Sequence, residues 1–192
     1  ISIIKYHQFP WINPWMAGGV PLFGNAQLGL LSLQAPLVLL FGTVVGFKIS
    51  WLIYYLLGFW GMYLLLNKSI KANKIISALL AYAFIFCGFF AAHIPGGHYT
   101  FTLYFFAPWL FWLYFSHIDS KYGWIGLGIA ISLLIMSSPH YAAIQTLIVL
   151  AVLIPVDIFT TRYLYRALSV AKSLLVAGFL VAYRMFFVYQ YS

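Results

Sequence analysis

Acidic residues are nearly absent from this sequence. Its 192 residues include two acids, Asp119 and Asp157, against ten lysines and arginines, and charged residues make up 6% of the chain. Soluble globular domains carry roughly 25% charged residues. The composition therefore excludes an ordinary soluble domain.

Cysteine and the motifs of common soluble enzymes are equally scarce. The single cysteine, Cys87, lies inside an apolar run, which excludes a disulfide framework and is typical of a packed thiol. The sequence has no phosphate-binding Walker loop, no CxxC pair and no nucleophile elbow. Although the net charge is +8, the basic residues are scattered between apolar runs and form no patch, so we expect no nucleic-acid partner.

What the sequence does contain is hydrophobic residues, at 65% of all positions, with a mean hydropathy of +0.98. Several apolar runs approach the roughly 20 residues with which a helix crosses the hydrocarbon core. None shows the alternation of a membrane β-barrel strand. The predicted fold class is an all-α, polytopic bundle of transmembrane helices.

Windows of about 19 residues place six spans along the chain. They are Ile49–Leu66, Ile75–Ala92, Phe101–Phe115, Gly123–Ser137, Tyr141–Phe159 and Val170–Tyr189. Lysine and arginine concentrate in every second connection, at 67–74, 116–122 and 160–169. By the positive-inside rule these three connections face the cytoplasm.

The opposite connections, "HIPGGHY" at 93–99 and "SSPHY" at 137–141, contain no lysine or arginine but hold three of the five histidines. We predict that they face outward, together with the segment "FPWINPWMAGGVPLFGN" at 9–25. In that segment the tryptophans favour headgroup depth, the prolines stop helices and the paired glycines permit positive φ. It reads as an ordered loop against the outer interface, with a plain connector as the alternative.

Residues 27–48 form a further apolar run, interrupted by Pro36, Gly42 and Gly46. Broken backbone at membrane depth must be covered by protein. Short interfacial or re-entrant helices are therefore expected here, although a full span stays open. This gives two regions, an outer loop with such helices at 1–48 and a membrane bundle at 49–192.

Four stretches resemble successive landmarks of YfhO-type bacterial and archaeal membrane proteins, which belong to the GT-C group of polytopic glycosyltransferases. They are "FPWINPWMAGGVPLFGNAQLGLLSLQAPLVLLFG", "LLGFWGMYLLLNKSI", "GGHYTFTLYFFAPWLFWLY" and "SSPHYAAIQTLIVLAV". The first, with the pattern FPxxNPxxxGGxPLxxNxQ, is the most specific. Together the four cover nearly the whole chain in order.

The resemblance implies a sugar carried on a polyprenyl phosphate, transferred to a glycan or lipid acceptor at the outer face of a prokaryotic plasma membrane. It also implies an essential outer acidic residue near the first helix, and an interior fragment that begins within the first outer loop. Asp119 and Asp157 both fall on the basic side. A general base must reach its proton directly or through one water, so the catalytic carboxylate is expected outside these residues.

The sharpest candidate for binding the donor phosphate is Arg184, roughly 8 Å inside the outer end of the last span at 1.5 Å per residue. Unpaired arginine at such depth is costly, and its fork of donors suits a phosphate oxyanion. Snorkelling to headgroups is the alternative. His98, beside Gly96 and Gly97, is the second phosphate candidate, with a helix-end hydrogen bond as its alternative.

Further polar groups are predicted to line a sugar cavity. On the outer turns these are His93 and His140. On the first loop they are His7, Asn13, Trp15, Gly18, Gly19, Asn25 and Gln27, with loop capping by the asparagines as the alternative. The histidines lack i, i+4 spacing and an accompanying acid, which disfavours zinc. No cofactor is predicted, and a divalent metal is left open.

Two other functions stay open from the sequence. A transporter or flippase for lipid-linked sugars would use the same outer cavity without chemistry, although no internal repeat supports it. A non-catalytic membrane scaffold is the third reading. The donor sugar, the acceptor and the oligomeric state are not readable from the sequence.

Overall fold

The computed structural model describes residues 7, 11–13, 19–21, 32–137, 141–161 and 164–191. Near the N-terminus, two short antiparallel strands pair with each other, β1 (Ile12–Asn13) and β2 (Val20–Pro21). Everything else of regular structure in the described residues is helical. The predicted all-α fold class is confirmed by this architecture.

Four helical segments among the described residues are long and apolar enough to cross a membrane. They are Thr43–Ser69, Lys74–His93, Ala142–Phe159 and Tyr165–Ala182. A fifth apolar helix, Gly123–Ser137, is shorter. The chain is therefore a helical membrane protein, as its composition predicts.

The first two helices form a tight hairpin. Helix α1 (Gln34–Phe41) ends at Gly42, whose φ of +77° favours glycine, and α2 (Thr43–Leu64) begins directly afterwards. At Gly46 a side chain would lie 2.6 Å from the Cα atom of Val38, so only glycine lets α1 pack this closely. The long helix thus starts six residues before the predicted span at Ile49, and the predicted boundary at 48/49 falls inside it.

One face of α2 is built from small residues that admit aromatic rings. Gly58 and Gly61 are buried, and a Cβ atom at either position would overlap an aromatic ring, that of Phe105 or Trp109 respectively. The indole of Trp109 donates a hydrogen bond to the carbonyl of Leu57 at 2.8 Å. Although these glycines do not form a GxxxG motif, they place α2 in close contact with the middle of the bundle.

The remaining helices follow in order. They are α3 (Lys74–Ile85), α4 (Gly88–His93), a 3-10 helix (Tyr99–Phe106), α5 (Ala107–His117), α6 (Gly123–Ser137), α7 (Tyr141–Thr161) and α8 (Leu164–Tyr191). The predicted span 75–92 is thus split before Gly88, and the predicted span 101–115 is 3-10 in its first part. Pro108, without a backbone N–H, sits where the 3-10 helix becomes α-helical.

Contacts bring the lysine-bearing connections together at one end of the bundle, which we call the basic end. Here α2 continues as a π-helical turn, Leu65–Ser69, and the hydroxyl of Ser69 is hydrogen-bonded to that of Ser116 at 2.7 Å. The connection at 118–122, the last turns of α7 and the start of α8 meet at the same end through Arg166, which bonds Asp119 and Asp157. The opposite end, which carries His93 and His98, we call the histidine end.

The core runs between these ends and is formed mainly by aromatic and branched side chains. Tyr54, Phe105, Tyr114 and Leu134 are buried within it, and Cys87 is half-buried against it. Helices α6 and α8 lie side by side, and both run away from the basic end, because Arg166 at the start of α8 bonds Asp119 just before α6. The core holds the histidine end in place on a rigid scaffold.

Candidate functional site

The histidine end presents two imidazoles on one turn. The Nδ1 atom of His93, the last residue of α4, is hydrogen-bonded to the carbonyl of Phe89 at 2.8 Å. The chain then turns through Gly97, with φ +83°, and returns so that the N–H of His98 donates to the carbonyl of His93 at 3.1 Å. The two rings lie with their centroids 6.1 Å apart. The structure thus brings two predicted site residues together.

An aromatic platform lies beneath these imidazoles. The ring of Phe101 is 4.5 Å from that of His93 and 6.0 Å from that of His98. It stacks on Tyr104 at 6.0 Å with an interplanar angle of 9°. The hydroxyl of Tyr104 donates to the side-chain amide of Gln145 in α7. We call these five residues the imidazole–aromatic cluster.

Three polar side chains of the imidazole–aromatic cluster can each form further hydrogen bonds. The exposed His98 makes no side-chain hydrogen bond to any residue that the structure describes. His93 has one ring nitrogen bonded to its own helix and a second nitrogen remaining. The exposed amide of Gln145 accepts from Tyr104 and still has its two N–H donors. A site that combines aromatic rings with polar atoms able to form further hydrogen bonds can bind a sugar or a phosphate ester.

A second group of polar atoms, which lack hydrogen-bond partners among the described residues, lies where α1 begins. The Oγ of Ser32, the Nε2 of Gln34 and the Nε1 of Trp51 are buried and have no hydrogen-bond partner among the described residues. The hydroxyl of Tyr54, one turn from Trp51 on α2, lies close to the backbone of Leu33, which places the start of α1 beside them. Buried polar atoms without partners are rare and costly. They indicate a place where a water or a bound polar group completes the structure.

The start of α1 lies well along α2, far from the turn at Gly42 that joins the two helices. Tyr54 is eleven residues after Thr43, about 16 Å along the helix. Helix α1 therefore runs from that depth back to Gly42, which is a re-entrant arrangement relative to α2. Sequence reasoning expected such a helix here, but it did not identify Ser32, Gln34 or Trp51 as candidates, because a serine, an amide and an indole in an apolar run carry no motif.

The backbone of Arg184 can be placed from the packing of α6 on α8. A Cβ atom on Gly128 would lie 2.7 Å from the carbonyl oxygen of Ser173, so these two residues are level with each other. At 1.5 Å per residue, Ser137 is about 13 Å beyond Gly128 and Arg184 is about 16 Å beyond Ser173. Arg184 therefore belongs to the histidine end, close to the level at which α6 ends. Its side chain lies outside the described residues.

The remaining site predictions divide into two groups. Of the described residues, His7 is exposed with φ 49°, Gly19 has φ 120°, and Asn13 pairs with Val20 in the short ladder. The positive φ of Gly19 agrees with the conformational role expected of that glycine pair. The other predicted positions lie outside the described residues: Trp15, Gly18, Asn25, Gln27 and His140.

At the basic end, one arginine binds both acids of the chain. Arg166 makes a two-pronged contact with Asp119, at 3.0 Å from Nε and 2.6 Å from a terminal nitrogen, and reaches Asp157 at 3.3 Å. Tyr114 donates to the same Asp157 oxygen at 2.6 Å. We call these four residues the arginine network. It joins the α5–α6 connection to α7 and α8.

The partners of Asp119 stabilise its ionised carboxylate. Burial acts to raise the pKa of this carboxyl, but hydrogen bonds from Arg166 and Tyr165 and the guanidinium charge outweigh burial and keep the pKa below its ordinary value. Sequence reasoning placed both acids at this end but did not foresee their shared partner. The sequence offered one hint, since the three connections at this end carry six of the ten basic residues and the chain has only two acids to pair with them.

Comparison of the chain with protein-family models, with curated protein sequences and with solved structures finds no match. Among the described residues no group of three histidine, cysteine or acidic side chains is arranged to hold a metal ion. What fold and geometry define is the class: a helical membrane protein with an imidazole–aromatic cluster at one end and an arginine network at the other.

Proposed function

We propose that this chain is part of a membrane glycosyltransferase of the GT-C type, which it resembles in sequence. It would move a sugar from a polyprenyl-phosphate donor to a glycan or lipid acceptor at the outer face of a prokaryotic plasma membrane. The observation that carries this function is the imidazole–aromatic cluster, which gathers two imidazoles, two stacked rings and an amide at the end of the bundle opposite the lysine-bearing connections.

Each part of the cluster suits one part of a lipid-linked sugar. His98 can donate to a phosphate oxygen, and His93, whose Nδ1 donates to the carbonyl of Phe89, can do so through Nε2 when both of its ring nitrogens carry a proton. The half-buried rings of Phe101 and Tyr104 offer an apolar surface, and Gln145 offers amide donors for sugar hydroxyls. Donors aimed at a leaving phosphate stabilise the charge that develops on it as the glycosidic bond breaks.

Arg184 would add the strongest donor to this group. Its backbone is at the level of the histidine end, and a guanidinium matches two oxygens of one phosphate. An arginine in an apolar helix is favourable only when it is paired or reaches water. A bound phosphodiester or phosphomonoester would supply that pairing.

This function needs a carboxylate that these 192 residues do not supply at the histidine end. Both acids of the chain are in the arginine network, at the basic end. A third acidic group, from a part of the protein beyond this sequence, would activate the acceptor hydroxyl. The residues described here would hold the donor and stabilise the leaving group.

The test is sugar transfer by the protein in membranes, using a radiolabelled sugar on polyprenyl phosphate and following its appearance in the acceptor fraction. Arg184→Gln is expected to lower turnover about 100-fold, as does loss of one donor at a developing oxyanion. His98→Ala is expected to lower it about tenfold, the typical value for a hydrogen bond to a charged group. Lys172→Gln, in the same helix near the basic end, is the charge-matched control and should retain full turnover.

Normal turnover in both Arg184→Gln and His98→Ala would remove the donor-binding role from this end of the bundle. Absence of transfer in the unsubstituted protein, with labelled lipid crossing the bilayer intact, would favour the second candidate. That candidate is a transporter or flippase of lipid-linked sugars. The re-entrant α1 favours it, because transporters build their sites from interrupted helices with polar atoms at membrane depth.

A further inference from the structure

A cleft opens at the basic end, between the π-helical turn that ends α2 and the last turns of α5. Its volume is about 470 Å³, and its polar lining includes Lys68, Lys71, Trp112 and His117. The two walls are joined by the hydrogen bond between the hydroxyls of Ser69 and Ser116. We call it the basic cleft. It lies at the opposite end of the bundle from the imidazole–aromatic cluster.

Two buried polar atoms in the basic cleft have no partner among the described residues. These are the indole Nε1 of Trp112 and the Nδ1 of His117. Their rings are in contact, with centroids 4.4 Å apart at 60°. Indole N–H is a donor only, and imidazole Nδ1 can carry a proton. Leaving such donors buried and unpaired is unfavourable, so both atoms point to a ligand that accepts hydrogen bonds.

The charge around the basic cleft is uncompensated. Asp119, two residues after His117, is the nearest acid in sequence, and it is bound by Arg166. The second acid of the chain is bound by the same arginine. Within the described part of the chain, Lys68 and Lys71 therefore form no ion pair. Lysines beside a low-dielectric aromatic wall raise the local concentration of anions.

The backbone of this end holds the two lysines at the mouth of the cleft. The π-helical turn carries Lys68, and Lys71 follows with φ 61°, an uncommon conformation for a residue other than glycine. The N–H of Ala72 bonds to the carbonyl of Leu66 at 3.0 Å, and Asn67 bonds to the carbonyl of Ala72 at 3.1 Å. The turn is thus fixed on both sides of Lys71.

The length of the helix that ends at the basic cleft allows the cleft to lie at headgroup depth. The continuous helical segment Thr43–Ser69 has 27 residues, which at 1.5 Å each is about 40 Å, whereas the hydrocarbon core is about 30 Å thick. The excess of about 10 Å is enough for the lysine-bearing last turn to reach the headgroup layer. The chemistry at that depth that combines negative charge with several hydrogen-bond acceptors is a lipid phosphate.

We propose that the basic cleft is a binding site for a phosphate group. Lys68 and Lys71 would neutralise its charge, while Trp112 and His117 would donate hydrogen bonds to its oxygens. The chemistry is shared by an anionic lipid headgroup and by a free phosphate, and depth in the membrane favours the headgroup. This site is independent of the transferase function proposed above and stands whether or not that function is correct.

The experiment measures phosphate and lipid binding to the purified protein. In one arm, the protein is reconstituted in phosphatidylcholine nanodiscs with increasing phosphatidic acid, and bound lipid is counted by native mass spectrometry. In the other arm, inorganic phosphate is titrated onto the protein in neutral detergent by calorimetry. Saturable binding of one lipid identifies the headgroup as the source, and saturable binding of inorganic phosphate alone identifies free phosphate.

Variants assign the binding to the basic cleft. The double variant Lys68→Gln/Lys71→Gln is expected to weaken binding at least tenfold, the change typical of losing charged hydrogen bonds. The matched control, Lys74→Gln/Lys121→Gln, removes the same charge from the same end but outside the cleft, and should weaken binding less than twofold at 0.15 M salt because surface charge is screened. Trp112→Phe keeps the aromatic ring, removes the single N–H, and should weaken binding about tenfold.

Equal weakening in the two double variants would show a diffuse surface charge and overturn the site. Unchanged binding in Trp112→Phe would overturn the site as well. Because this variant keeps an aromatic ring at the position, it still tests the site if the lysine double variant does not fold. Circular dichroism of each variant before titration separates lost binding from lost structure. No saturable binding in either arm would also overturn the proposal.

Discussion

Replacing Gly128 with alanine is expected to force α6 and α8 apart. A Cβ atom at this position would lie 2.7 Å from the backbone carbonyl oxygen of Ser173 and 2.9 Å from the Cβ of Val176. Neither neighbour is the end of a flexible side chain, so the clash is relieved only when one helix moves. Gly126, two residues earlier, would place its Cβ 3.8 Å from Leu113, which is ordinary contact.

The two glycines provide a matched pair. Each change adds one methyl group in the same helix and restricts the unfolded chain equally. Alanine gains up to about 1 kcal/mol over glycine in a helix interior. Overpacking of a close contact costs about 1–3 kcal/mol. Gly126→Ala should therefore be neutral or stabilising, while Gly128→Ala should be less stable than Gly126→Ala by about 1–3 kcal/mol.

Unfolding in mixed micelles of dodecyl maltoside and SDS measures this difference, with far-UV circular dichroism as the signal. The two variants are compared at equal detergent composition, so that the reference state is the same. If their unfolding free energies agree within about 0.5 kcal/mol, a difference that distant surface substitutions also produce, the close approach of α6 and α8 at Gly128 is wrong.

Three further outcomes are expected. Tyr114→Phe removes the hydroxyl that donates to Asp157 and should lower the unfolding free energy by about 1–3 kcal/mol, measured in the same micelles, and an unchanged value would contradict the contact. The lowered pKa of Asp119 means that its stabilisation is full above its ordinary value of 3.8 and is lost as the pH falls through the folded-state pKa. Melting temperature should therefore drop in that acid range, and Asp119→Asn should flatten the drop. In a variant without its native cysteine, Lys71→Cys and Gly96→Cys should react with an impermeant maleimide from opposite sides of a sealed vesicle, and labelling from one side alone would overturn the sidedness.

Charge pattern carried most of what could be predicted about the fold. Lysines and arginines in alternate connections assigned 67–74 and 116–122 to one end, and the structure joins those segments through the hydroxyls of Ser69 and Ser116. Such predictions succeed because a charge near the end of an apolar helix has a large transfer cost and so reports its position locally. No knowledge of packing is needed.

The helix boundaries depended on packing and were less predictable. Gly46 looked like an interruption, because glycine lowers helix propensity. In the structure it lies inside α2 and is required by the approach of Val38 from α1. The helix propensity of a residue carries no information about another helix that packs against it. The start of α2 at Thr43 could therefore not be read from the local sequence.

The candidate site was predictable in part. The turn at 93–99 drew attention to His93 and His98, because imidazoles stand out among apolar residues. Phe101 and Tyr104 belong to the same cluster but were assigned to a span, since aromatic residues at these positions are typical of membrane helices. The 3-10 helix places the ring of Phe101 against the imidazoles and that of Tyr104 against Phe101. Only the conformation of that segment distinguishes a binding surface from a lipid-facing one.

Helix α6 depends on a helix that the ribosome makes later. Its 15 residues rise about 22 Å, less than the thickness of the hydrocarbon layer. It packs along α8, and the backbone carbonyl of Ser173 in α8 closely approaches Gly128. During biogenesis α6 would therefore leave the insertion machinery poorly matched to the bilayer, and it would settle only when α8 emerges and covers it. Truncation ahead of α8 would deprive the nascent bundle of the support for this short helix.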